Sequence, residues 1–275
     1  MKAEYLEQIP KWYTSEVTQF DLILSDDIDS LTSCAVISQA KNWDIEYFYN
    51  FNGMGTTKNG TNEMVGVDIA LCNGKTFDNH VVMFNSDDEV NPESINPNII
   101  NKSRRSNYST KYCGSTLLLV WSLYNRPLPK SEEGKMILLA IDSTYKGFYS
   151  GNSTFEKANK HYLCDVLGLD ELYEVQKRHK AIEFKDLFSK YNLNGKIVSN
   201  KGELSSVLKL DEISEQIELK LELPQDKFYK YDTYSNIKQD LDYSSRYSLT
   251  IDDIIKEPFS LALIYNDTVK YSCQI

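Results

Sequence analysis

Three short apolar segments in the first half of the chain run into aspartates, and this pattern limits the possible folds more than any other. FDLILS at 20–25 leads to Asp26-Asp27-Ile28-Asp29-Ser30, MVGVDIAL at 64–71 carries Asp68, and KMILLAIDS ends near Asp142. A short apolar run bounded by polar residues reads as a buried strand, although the run before Asp142 fits a helix or a strand. LTSCAVISQAK reads as a helix, with Leu31, Ala35, Val36 and Ile37 near helical spacing and Asp29 or Ser30 as its N-cap. A strand at 44–49 (DIEYFY) completes a β–loop–α–β unit. VVMF at 81–84 reads as a further strand, and 115–125 as a helix capped by Ser115 or Thr116. Such alternation predicts an α/β layer whose mainly parallel sheet is flanked by helices. Ligands in such folds bind beyond the carboxyl ends of the strands, where Asp27 and Asp68 fall.

The texture changes after about residue 150. Residues 156–190 are helix-like and mixed in charge, and the rest holds short β-rich pieces: GKIVS, IELKLEL and FSLALIYNDTVKYSCQI. The expected division is therefore 1–190 for the larger α/β domain and 191–275 for a smaller α+β domain. The longest apolar run, Leu117 to Trp121, is far short of the ~18 residues of a membrane helix, so no membrane association is expected. MKAEYLEQIPKWY lacks the apolar core of a secretory signal.

Clustered carboxylates need relief. No Lys or Arg lies between Lys11 and Lys41, while Asp21, Asp26, Asp27 and Asp29 all do. Solvent, a helix N-terminus or a cation can offset the repulsion. The ordinary reading is that Asp29 merely caps its helix. The other is a hard divalent ion, Mn²⁺ or Mg²⁺, on carboxylate oxygens. Two such ions ~3.5–4 Å apart can hold both the attacking and the leaving oxygen in phosphodiester hydrolysis. With three histidines in the chain, His80, His161 and His179, a histidine-built zinc site is nearly excluded. The five cysteines are dispersed without a CxxC, which argues against a disulfide scaffold and for free thiols in a reducing cytoplasm. With 30 Lys+Arg against 40 Asp+Glu, the net charge of −10 disfavours broad, non-specific duplex binding but leaves room for a local basic groove.

In order, these segments resemble the DHH phosphoesterase superfamily over about residues 18–150. LILSDDIDSLTSCAV resembles its first motif, with Asp27 and Asp29 at the paired aspartates. VGVDIAL resembles the second, with Asp68 at the bridging position, and FDNH the DHH triplet, as Asp78-Asn79-His80. INPN at 95–98 resembles the segment downstream of that triplet, and ILLAIDSTYKGF the fourth motif, with Asp142 as its last ligand. The chain departs from the pattern at Ile23, at Ser30 and at Asn79, which stands where the first histidine is usual. A competing register sets the triplet at Asn85-Ser86-Asp87. No GGGH motif occurs, so 191–275 is either a diverged DHHA1-like domain or something else.

The resemblance implies two Mn²⁺ or Mg²⁺ ions on Asp27, Asp29, Asp68, His80 and Asp142, with Asp68, Asp78 and His80 in the catalytic machinery. It implies a phosphodiesterase acting on single-stranded nucleic acid or short oligonucleotides. The alternative is a catalytically degenerate protein of the same fold that binds nucleic acid or protein. Arg104, Arg105 and Lys111 in NKSRRSNYSTKYCGST are candidate phosphate contacts, with Tyr108 or Tyr112 to stack on a base; the plain reading is a solvated loop. Lys75 is either a charge-stabilising lysine or an ordinary turn residue. QKRHK at 176–180 reads as an exposed helix face.

Overall fold

The segment FDLIL, buried along its whole length, lies inside the sheet around which the chain is organised. The computed structural model describes residues 1–275. In chain order the elements are α1 (Ala3–Leu6), β1 (Phe20–Leu24), α2 (Ile28–Lys41), β2 (Asp44–Tyr49), β3 (Gly53–Thr56), β4 (Glu63–Val67), β5 (Lys75–Phe77) and β6 (Ser94–Ile95). There follow α3 (Pro97–Ile100), α4 (Thr116–Leu123), α5 (Glu132–Ala140), α6 (Ser153–Lys160), α7 (Asp170–Arg178) and α8 (Ala181–Lys190). The remainder is β7 (Ile197–Asn200), β8 (Glu203–Ser206), α9 (Leu210–Ile217), β9 (Tyr229–Asp240), β10 (Ser260–Tyr265) and β11 (Thr268–Gln274).

Nine strands form one sheet in the order β10-β11-β9-β3-β2-β1-β4-β5-β6. The β2-β1-β4-β5-β6 half is parallel, and β3, β9, β11 and β10 continue it antiparallel. The sheet is thus mixed, which corrects the expectation of a mainly parallel one. Twelve-residue β9 causes the difference: it pairs with β3 on one side and β11 on the other, so β9, β10 and β11 extend the same sheet. The sheet also curls. Leu71 bridges to Ser260 and Val81 to Leu263, which brings β10 back beside the loops that follow β4 and β5. β7 and β8 form a separate hairpin.

Strand alternation divides the core. Leu22, Leu24, Val65 and Val67 pack with Leu31 and Ile37 of α2, with Leu117 to Trp121 of α4 and with Ile137 to Leu139 of α5. Ile23, Tyr47, Tyr49 and Met54 point the other way, toward Ile69, Leu71 and Tyr234. α4 is buried on every side, as its largely apolar body LLLVW requires. Its neighbour α5 resolves the ambiguous KMILLAID run as a helix, with a tight 3₁₀ turn at Ile141–Gly147 carrying Asp142. VVMF is not a strand: Val81 and Met83 make only isolated bridges. IELKLEL is not one either, since α9 ends at Ile217 and irregular chain follows. All five cysteines are free. No helix is long and apolar enough to cross a membrane.

Ser30 ties the layers together where the site begins. Its hydroxyl accepts the Ser25 N–H at 2.8 Å and donates to the Val67 carbonyl at 2.7 Å, clamping the ends of β1 and β4 to the start of α2. Replacing Ser30 by Ala leaves a buried N–H without its acceptor. The expected cost is about 1–3 kcal/mol, read as a lower denaturant midpoint at unchanged slope; an unshifted midpoint would show that the clamp adds nothing.

Candidate metal centre

The carboxyl ends of β1, β4 and β5 meet at one point. Asp27 caps α2, its Oδ1 accepting the Ser30 N–H at 3.2 Å, and Asp29 follows in the first turn. Asp68 directly follows β4 and Asp78-Asn79-His80 directly follows β5. Backbone bonds continue the ladder past the strands, from Asp68 N–H to the Phe77 carbonyl at 2.9 Å and from Asp78 N–H to the Ile95 carbonyl at 3.1 Å. Asp142 arrives from the turn after α5. Asp68, Asp142 and Ser143 have φ of 59°, 50° and 56°, a left-handed conformation that costs energy for residues other than glycine and gathers at functional sites. The rival triplet Asn85-Ser86-Asp87 lies in an exposed turn instead.

Each side chain is held by identifiable partners. The fully enclosed Asp29 carboxylate accepts the N–H groups of Thr116 (2.9 Å) and Leu117 (2.7 Å) at the N-terminus of α4 and the Ser33 hydroxyl at 3.4 Å. Asp68 accepts the Thr116 hydroxyl at 2.9 Å through Oδ1. Asn79 donates to Asp142 Oδ2 at 3.0 Å and to the Gly114 carbonyl at 2.9 Å, while its own buried Oδ1 has no partner. Asp78 Oδ1 lies 2.7 Å from His80 Nδ1, and a carboxylate there fixes the proton on Nδ1 and leaves Nε2 as the available nitrogen. Asn96 of the INPN segment braces the arrangement, donating to Asp78 Oδ2 and to the His80 carbonyl, both at 2.8 Å. Asn98 does the same for the Asn79 carbonyl at 2.7 Å.

The electrostatics are those of a cluster short of positive charge. Burial pushes the Asp29 and Asp68 carboxyls well above the usual range, and repulsion among Asp27, Asp29, Asp68 and Asp142 adds to it. Asp142, which keeps surface exposure, is raised by its enclosure and by Asp27, against the pull of His80, Lys111 and Asn79. Burial alone would lower His80, but the charge and hydrogen bond of Asp78 and the charge of Asp142 raise it overall.

One ligand atom each from Asp68, Asp78 and His80 lies within 4.8 Å of the others. The donor set is hard oxygen with one imidazole, which suits Mn²⁺ or Mg²⁺, and Asn79 between Asp78 and His80 keeps a buried Oδ1 without a partner. The residues therefore fit a divalent ion. Asp27, Asp29 and Asp142 are not in this tight group, and Asp29 has its oxygens occupied by backbone amides.

The four basic residues singled out in the sequence scatter. Lys75 begins β5, at the opposite end of that strand from Asp78, and pairs with Glu63 (2.5 Å) and Glu93 (3.1 Å). Arg105 is buried and donates to the backbone of Asp242 and Asn266. Arg104 contacts Ser106 and the Lys102 carbonyl. Lys111 alone is close enough to act on the charges of His80 and Asp142. Two lysines not found by sequence reading do reach the site. A cavity of about 180 Å³ is lined by Asp27, Asp68 and His80 together with Lys196, Lys270 and residues 260–262 of β10. Lys196 pairs with Asp26 at 2.8 Å and Asp27 at 3.3 Å, and the Ile197 N–H bonds the Asp26 carbonyl at 2.8 Å. Lys270 lies 4.2 Å from the Phe51 ring centroid, and burial pulls its pKa down, with repulsion from Lys196 adding to this. Nothing local marks either lysine: Lys270 is delivered by β11 and Lys196 by the chain leading into β7, each far in sequence from the acidic loop.

No family model, curated protein or solved structure matches this chain.

The raised carboxyls fix the sign of a pH effect. Between the unfolded aspartate value, ~3.9, and their folded values, the folded chain binds more protons, so this contribution to stability falls as pH rises. Removing one charge with Asp68→Asn should raise Tm in EDTA, by more at about pH 8 than at about pH 5, and should cancel most of the Tm gain that Mn²⁺ gives the wild type. A pH-independent difference, with the Mn²⁺ response intact, would exclude Asp68 from the centre.

Proposed function

We propose that this chain is a divalent-cation-dependent phosphodiesterase acting on single-stranded nucleic acid or short oligonucleotides, as its resemblance to the DHH superfamily implied. The observation that carries the reading is the grouping of Asp68, Asp78 and His80, of which Asp68 and His80 line a cavity together with Lys196 and Lys270. Asp68 and His80 would hold the ion, with Asp78 orienting His80 from behind. A divalent ion there supplies Lewis-acid stabilisation of charge on a phosphoryl oxygen. Lys196 and Lys270, which line the same cavity, would pair with the anionic phosphate. A cavity of about 180 Å³ is smaller than the ~300–1,000 Å³ of typical ligand pockets, so it suits the reacting phosphate, with the rest of the substrate lying outside.

A second reading has its own support. Asp29 is satisfied by two amides, Asp26 and Asp27 by Lys196, and a neutral Asn79 stands in the triplet. The acidic loop can therefore stand without a cation, as in a degenerate protein that binds phosphate without cleaving it.

Labelled single-stranded DNA and RNA oligomers and dinucleotides, incubated with Mn²⁺ or EDTA, separate the two. The first reading expects cleavage only with Mn²⁺, absent in Asp68→Asn and reduced by about 10²-fold or more in His80→Ala. No turnover from folded protein across the panel would leave the second. Lys196→Met should tighten Mn²⁺ binding measured by calorimetry if the ammonium competes with the ion; unchanged or weaker binding would refute that competition.

A further inference from the structure

We propose that a tyrosine–arginine platform next to the cavity, formed by Tyr243, Arg246, Tyr247 and Tyr265, stacks the bases of single-stranded nucleic acid. The proposal rests on the reading above only for a phosphodiester as the molecule bound, and extends it from the reacting phosphate to the flanking nucleotides.

The three tyrosines are 57%, 66% and 62% exposed, unusual openness for large aromatic rings gathered in one place. The Arg246 guanidinium lies 4.1 Å from the Tyr243 ring centroid and 4.6 Å from that of Tyr247. The rings and the guanidinium border a depression of about 440 Å³, large enough for a nucleotide-sized group. The platform is built rather than incidental. Buried Arg105 donates to the Asp242 carbonyl at 2.8 Å and the Asn266 carbonyl at 3.0 Å, stapling the turn that carries Tyr243 and Tyr247 to the one that carries Tyr265. Asp242 has both oxygens occupied by Ser244.

Charge selects the occupant. The chain carries −10 overall, yet Arg104 and Arg246, which share a neighbouring depression, form no salt bridge, whereas Arg178 is tied to two glutamates. Unpaired guanidinium beside open aromatic faces matches the stacking and backbone attraction by which single strands are held, and fits an apolar protein surface poorly. β10 joins the platform to the cavity, its Ile264 lining the cavity and its Tyr265 the depression. Tyr108 lines the 440 Å³ depression, Lys111 lies 5.3 Å from the Tyr108 ring centroid, and the charge of Lys111 reaches His80.

The test is fluorescence anisotropy with labelled oligothymidylate and oligouridylate, in EDTA so that no cleavage intervenes. Wild type should bind both, and preferentially over a duplex. Tyr243→Ala and Tyr247→Ala should each weaken binding by roughly five-fold or more, and Arg246→Ala should lower the salt slope by about one. All three side chains are at the surface, and unchanged near-ultraviolet dichroism would confirm intact folds. Failure of wild type to bind, equal affinity for duplex, or indifference to the three substitutions would overturn the platform. Mn²⁺-dependent cleavage of a dinucleotide would still stand in that case. Single-strand binding lost in these variants, with no cleavage by any of them, would establish the platform and remove the hydrolytic reading.

Discussion

The arrangement depends on one buried carboxylate. Asp29 accepts two backbone N–H groups at the start of α4 while belonging to the first turn of α2, so a single side chain joins the two helices. Hydrogen bonds from amides at a helix N-terminus favour a charged acceptor, and the neighbouring aspartates oppose it. The balance decides where α4 starts. That in turn sets Thr116 against Asp68, Gly114 against Asn79 and Ser115 against Thr144. An apolar residue at 29 would relieve the repulsion and lose the anchor that brings the loops together.

Much of the site was legible in the sequence because its chemistry is local to the ends of apolar strands. Asp27, Asp68 and the Asp78–His80 triplet follow β1, β4 and β5, and strand direction alone carries them to one edge. The same rule explains the error at Lys75. It lies three residues before Asp78, but at ~3.3 Å per residue a strand separates the two by about 10 Å and puts them at opposite ends. Asp29 satisfies both readings considered for it in part: it stands in the acidic cluster, and its carboxylate is used by a helix N-terminus, although that of α4 rather than its own. Arg105 had the right composition for a phosphate contact and the wrong burial.

What sequence could not show is long-range pairing. FYKYDTYSNIKQD, which contains β9, is polar and gives no apolar alternation, because its strand is largely exposed and is held by backbone bonds to β3 and β11. IELKLEL alternates well and is not a strand, since Ile217 completes α9 and Leu219 and Leu221 pack into the main core from the irregular chain that follows. Without β9 there is no reason to expect the mixed sheet, its curl, or the return of β10 over the carboxylates. Lys270 was invisible for the same reason, and Lys196 because it leads into the separate β7–β8 hairpin.

That return of β10 and β11 also governs the order in which the site comes into being. The β1–α2–β2 and β4–β5 pairings join near neighbours in the chain, whereas Lys270 meets Asp27 only after a loop of 243 residues has closed. Contacts between distant parts of a chain form slowly, because the entropy of closing the loop is lost before they reward it. The aspartates therefore gather early, as an open and mutually repelling edge, and the cavity acquires its cationic wall in one of the last steps of folding. Until β10 and β11 close over it, the acidic edge lies open to any cation, and only the finished molecule can choose what enters it.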